Sequence, residues 1–143
     1  MMRTLLLACA LFGLPFAAQA ERGARENYVL RCAGCHGMEG KGSETGGIPT
    51  FIGSVSTLAN DDEGRTYMMH VPGVISASLS DVEIAKVMNY IVDVWGGAPA
   101  PAFTAEEVTR RRAVPVADVV RYRRALVERL EREGKTVAPY PWP

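Results

Sequence analysis

The chain has 143 residues, 48% of them hydrophobic and 22% charged, with 16 basic side chains balanced by 16 acidic ones. That length suits one domain with a core of its own, and the lack of a basic excess argues against a general nucleic-acid binder. No apolar run reaches the roughly 18–20 residues that a membrane-spanning helix needs. The first element along the chain is a leader. Met1–Ala20 opens with Arg3, continues through the apolar Leu5–Leu14 and ends in Ala18-Gln19-Ala20 ahead of Glu21-Arg22. Basic start, short apolar run and small-residue end are the parts of a secretory signal, with cleavage expected after Ala20. The expected location is periplasmic, with no transmembrane anchor after cleavage. Cys9 leaves with the leader, so Cys32 and Cys35 remain in an oxidising compartment.

Ala24–Cys35 predicts an opening helix, with Tyr28 and Val29 available to pack on Tyr90 and Ile91. It runs into Cys32-Ala33-Gly34-Cys35-His36, the attachment pattern for c-type haem. On a helical turn the two thiols face the same way, so each can add to one haem vinyl group. His36 then lies under the ring with its imidazole toward the iron. Ala33 and Gly34 are small enough to let a porphyrin edge approach the backbone. A redox dithiol or a plain disulfide has no use for the adjacent histidine. Structural zinc wants about four ligands, and the mature chain offers only His70 besides this pentapeptide. One such motif implies one covalent haem. Gly37, Gly40 and Gly42 then form a return loop around Met38-Glu39.

Further on, Asp61, Asp62 and Glu63 crowd the start of a short helix over Asp62–His70. Ser80 with Glu83 forms a capping box. Ile84, Val87, Met88, Ile91 and Trp95 follow at helical spacing, and Gly96-Gly97 stop the helix. No alternating strand pattern is present, so the expected fold is all-α.

These segments resemble the monohaem class I c-type cytochrome family over roughly Glu21–Trp95. The likeness rests on Cys32–His36 with its glycine-rich sequel, on Gly47-Ile48-Pro49-Thr50-Phe51, and on Leu79–Ala85 at the start of the last helix of the family core. The resemblance implies that the opening helix crosses this one. It also implies that the Pro49 carbonyl accepts a hydrogen bond from the His36 imidazole and so holds the ring. The family places its sixth ligand, a methionine, on the loop before the last helix, yet Val71–Leu79 contains none. Met69, Met68 and His70 are the nearest candidates. Successive helical residues point about 100° apart, so the three cannot all face the iron. Met69 is the expected ligand. The implied function is electron transfer, one electron at a time, from a periplasmic dehydrogenase-type donor to a downstream cytochrome or oxidase. Two alternatives stand beside it: a haem protein with an open distal site acting as enzyme or small-ligand sensor, and a fixed cytochrome subunit of a larger dehydrogenase.

The Gly/Ala/Pro segment Gly96–Pro101 reads as a linker. Residues 21–103, the expected haem domain, carry ten acidic side chains against six basic, whereas residues 104–143 carry nine basic against six acidic. The resemblance stops ahead of this helical C-terminal extension. Thr104 with Glu107 predicts a second capping box and a helix to about Arg112. Pro115 predicts the first turn of another helix, ended by Gly134. Val116, Val119, Val120, Leu126, Val127 and Leu130 give that helix an apolar face, with arginines over the rest. A minimal haem domain closes without this segment, so it is expected to be dispensable for holding haem. Tyr140 and Trp142 in the final Tyr-Pro-Trp-Pro either anchor an acidic redox partner or fold back on the protein.

Overall fold

The structure is a computed structural model and describes residues 22–140. The leader Met1–Ala20 and Trp142 lie outside these residues. The helices are α1 (Ala24–Arg31), α2 (Ala33–His36), α3 (Val55–Ala59), α4 (Asp62–His70), α5 (Pro72–Ile75), α6 (Asp81–Trp95), α7 (Ala105–Arg112) and α8 (Val119–Arg132). Among the described residues the β content is a lone antiparallel bridge between Ser43 and Ile48. The fold is all-α, as the pattern predicts.

Helix α6 has the predicted ends. The Ser80 side chain accepts from the Glu83 amide and the Glu83 carboxylate reaches back to the Ser80 amide, which satisfies two otherwise orphaned donors. Its stripe of Ile84, Val87, Met88 and Ile91 is buried. Helix α6 packs against α1, α3 and α7. Helix α4 also starts where the acidic cluster puts it, with Asp61 Oδ1 accepting from the Gly64 amide at 2.9 Å. The opening helix departs from expectation. It breaks at Cys32, whose φ of −121° takes the chain off the helical axis, and α2 begins afresh as a single turn. Continuity is kept by hydrogen bonds. The Cys32 amide donates to Tyr28 at 2.9 Å, and the Cys32 carbonyl accepts from His36 at 3.0 Å.

The extension joins the same core. Val108, Leu126 and Leu130 cluster with Tyr28, Met69 and Ile84; α7 lies on α4 and α6, and α8 lies on α4. The segment read as a linker is fastened along its length. Ser56 Oγ donates to the Ala98 carbonyl and Asn60 Nδ2 to that of Pro99. Asn89 exchanges two hydrogen bonds with the Phe103 backbone, at 3.0 and 2.7 Å. The expected second capping box is only half made. Thr104 Oγ1 accepts from the Glu107 amide at 3.2 Å, but the Glu107 carboxylate turns inward. It takes 2.6 and 2.5 Å hydrogen bonds from Arg65 Nε and Nη2 and one of 2.7 Å from Arg111 Nε. Helix α8 begins after Pro115, at Val119, because Asp118 Oδ1 accepts from the amides of Val120 and Arg121. Gly134, at φ +73°, follows its end. Beyond it the chain folds back over α3: Thr57 Oγ1 donates to the Thr136 carbonyl and the Ala138 amide to Ser54 Oγ.

This packing predicts that truncation after Pro101, which strips Arg65 of Glu107 and exposes one side of α4, abolishes cooperative unfolding in urea followed by circular dichroism. The subtler change Glu107→Gln is expected to cost about 3–5 kcal/mol, because buried Arg65 loses its carboxylate partner and Arg111 keeps only Asp62. The Arg65 and Arg111 hydrogen bonds lower the Glu107 pKa from 4.5 to about 2. Its contribution to stability is therefore complete above the unfolded value and is lost as pH falls toward the folded one. Urea midpoints measured between pH 6 and pH 2 should show this loss in the wild type and a reduced slope in Glu107→Gln.

Candidate functional site

Cys32 closes α1, and α2 carries Cys35 and His36. Both thiols are free; Cys32 is half-buried and Cys35 exposed. Burial, with Cys35 adding to it, pushes the Cys32 thiol up to about 11. Redox-active dithiols work through a depressed thiol pKa, the opposite of the direction at Cys32. His36 is pushed the other way. Burial takes its pKa down to about 4, opposed by the backbone carbonyl of Pro49. The imidazole is therefore neutral near pH 7 and holds a lone pair that a metal can accept. Its Nδ1 is buried and makes no hydrogen bond of good geometry, although Pro49 lies close enough to raise the pKa. The ring stacks on Phe51 with centroids 3.9 Å apart.

The loop that brings Pro49 and Phe51 to His36 closes through its backbone. The Gly42 amide donates to the His36 carbonyl at 2.9 Å, and the Phe51 amide to the Gly40 carbonyl at 2.8 Å. Trp95, the last residue of α6, seats the loop. It packs on Tyr28, Tyr90 and Phe51 with centroid distances of 4.6, 5.7 and 6.1 Å. Tyr28 donates its hydroxyl to the Gly37 carbonyl. Gly40 has no substitute here, because a Cβ would stand 2.7 Å from the Trp95 ring and φ is +68°.

The sixth-ligand candidates all lie on α4. Met69 is fully buried on α4, one turn past Arg65, and shares the face that meets Phe103 and Glu107. Met68 is buried too, about 100° round the helix. His70 is half-buried at the end of α4, with Nδ1 2.8 Å from the Thr66 carbonyl. Helix α4 packs on α3, α5, α7 and α8, whereas α2 packs on α1. The structure thus gathers Cys32, Cys35, His36 and Pro49 in one place, and Met69 belongs to the core cluster against which Cys32 and Phe51 pack. Met88 is core, and Met38 is half exposed on the loop. Phe51 and Trp95 complete the surroundings of His36. The signal for Phe51 was its place two residues after Pro49, but spacing alone does not show a ring stack.

No protein-family model and no solved structure matches the chain. A cytochrome c-552 of Thermus thermophilus is 37% identical over 135 residues, covering 79% of this chain and 88% of that protein. A second Thermus thermophilus cytochrome c-552 is 36% identical over 105 residues, covering 58% of this chain and 79% of its own length. The chain belongs to the class I c-type cytochromes. Its cofactor is accordingly covalently attached haem c. The first match covers more of this c-type cytochrome than the residues ahead of Thr104 can supply, so the likeness runs on into the extension, past the point where the motifs end.

The Trp95 seat predicts that Gly40→Ala costs about 2–4 kcal/mol, from left-handed backbone strain and overpacking together. Urea unfolding followed by circular dichroism measures the cost, and a shift in tryptophan emission reports the displaced indole.

Proposed function

We propose that this cytochrome is an exported electron carrier with one haem, held through thioether bonds from Cys32 and Cys35, with His36 as axial ligand and Pro49 orienting the imidazole. The observation that carries the reading is a neutral, half-buried His36 with a buried, orphaned Nδ1, on the same turn as two free thiols in a c-type cytochrome. When bound, the iron takes up and releases single electrons between its ferrous and ferric states. The chain's own residues supply the rest. Burial keeps His36 unprotonated, Phe51 and Trp95 limit ring movement, and Gly34, with open space where a Cβ would stand, leaves the face between the thiols clear. Met69 is the thioether assigned to the sixth position. The proposed partners are a dehydrogenase-type donor and a cytochrome or oxidase acceptor in the periplasm, reached by way of the Met1–Ala20 signal. No helix among the described residues is long and apolar enough to cross a membrane.

One observation favours a second reading, an open distal position. Val71–Ser80 offers neither methionine nor histidine, and the face of Met69 is shared with Arg65. In that case the haem binds small ligands.

Expression with a c-type maturation system tests both. Single Cys32→Ala and Cys35→Ala changes should each weaken covalent attachment, and the double change should abolish it, as read by haem staining after denaturing electrophoresis. His36→Ala should lose the low-spin spectrum. Met69→Ala is expected to remove the long-wavelength ferric band of thioether ligation. Stability alone cannot decide the ligand, because emptying so buried a position costs about 2–5 kcal/mol regardless. A band that survives Met69→Ala and vanishes in Met68→Ala moves the ligand to Met68. Rapid carbon monoxide binding by the ferrous wild type at neutral pH decides for the open site.

A further inference from the structure

We infer that Arg123, on the C-terminal helix, is the counter-charge for a haem propionate. Arg123 lies on the face of α8 that carries Leu126 and Leu130 and is only 4% exposed. Its Nη2 donates to the Ala138 carbonyl at 2.7 Å. Nε and Nη1 are buried and have no hydrogen-bond partner among the described residues. The guanidinium carbon stands 5.6 Å from the Tyr67 ring centroid and 5.4 Å from that of Tyr140. Such aromatic contacts offset only part of the cost of burying an ion.

The other two buried arginines are paired. Arg65 has Glu107, and Arg111 has Glu107 and Asp62. Among the described residues Arg123 has no carboxylate at ion-pair distance, so its charge calls for an acid that the polypeptide around it does not supply. Haem brings two carboxylates of its own. Hydrogen bonds also connect Arg123 to the site. The Ala138 carbonyl that takes Nη2 belongs to the residue whose amide donates to Ser54 Oγ. Ser54 in turn donates its amide to the carbonyl of Phe51, the ring stacked on His36. Arg123 is thereby tied through two residues to the loop that holds the proposed axial ligand, while its Nε and Nη1 keep N–H groups with no acceptor among the described residues.

This inference rests on the haem reading above, and the two fail differently. A preparation without covalent haem by the pyridine haemochrome assay overturns that reading. The inference itself is tested on haem-loaded protein by infrared titration of ¹³C-labelled propionates, together with potentiometry against pH. In the wild type one propionate should titrate well below the ordinary carboxylic-acid range. Arg123→Met should raise its pKa by at least about one unit, a tenfold change in the protonation equilibrium. The reduction potential should fall where that carboxylate is ionised, because an uncompensated negative charge favours the ferric state. Arg123→Lys, which keeps the charge, should give smaller shifts. Removal of residues 141–143 should give none. Two propionates that both titrate normally in the wild type would overturn the inference without any variant. So would unchanged bands and potential in a folded Arg123→Met protein, or a deletion of 141–143 that reproduces the shifts.

Discussion

One carboxylate held between two buried guanidinium groups fixes how this molecule is assembled. Glu107 on α7 meets Arg65 on α4 with both oxygens and meets Arg111 one turn further along its own helix. Arg65 spends its remaining donors on the carbonyls of Ala59, Pro101 and Ala102 and lays its plane over Phe103 at 3.7 Å. Arg111 reaches back to the Asp62 carbonyl and to Thr66 Oγ1, both at 2.8 Å. Each charge is thus compensated by an ion and by directed hydrogen bonds, the condition under which burial of ions is tolerable. The network sets the rotation of α4, and hence the directions in which Tyr67, Met68 and Met69 point. It also welds the extension to the rest, because two of its four charged members lie past Thr104.

The surroundings of His36 use a different physics. There the governing term is desolvation. The same burial that keeps the imidazole neutral keeps Cys32 a thiol rather than a thiolate. Neither state is set by a nearby fixed charge, so each follows from how well the loop excludes water. That loop is held by Trp95, which couples the end of α6 to Tyr28 on α1 and to Phe51 beside His36. The Gly53 amide donates to the Trp95 carbonyl at 2.9 Å, a second tie between helix and loop. An electron carrier benefits from an interior that changes little with charge state, and rings locked on several sides serve that end.

Sequence periodicity revealed the elements whose cause is local. Ser80 with Glu83, the acids at Asp61–Glu63 and the spacing of Ile84 to Ile91 act within a few residues, and each predicted its helix. The five-residue attachment motif was legible for the same reason. Long-range causes were not. Glu107 looked like half of a capping box because its partner Arg65 lies 42 residues away. Pro115 looked like a helix start because Asp118, the true cap, sat inside an apolar run. The break at Cys32 has no sequence signal beyond the motif itself. Gly96–Pro101 read as a free linker, yet its carbonyls are taken by Ser56, Asn60 and Arg65. The motifs of the resemblance end near Trp95, while the fold and the likeness to the first relative continue.

Buried arginine is where pattern reading fails in one consistent direction. A guanidinium scores as surface in any binary pattern, yet Arg65, Arg111 and Arg123 are all buried. A long stem lets an arginine lie along apolar neighbours while its fork finds carbonyls or acids. The helical positions already carry the information. Arg123 falls between Val119 and Leu126 on the stripe that ends in Leu130, so a charged residue stood where the pattern required an apolar one. At such a position the useful question is what anion meets it. For Arg65 and Arg111 the chain answers with Glu107 and Asp62. For Arg123 the described residues offer one carbonyl and two tyrosine faces, which leaves the cofactor's own carboxylates as the acid that this family brings to its core.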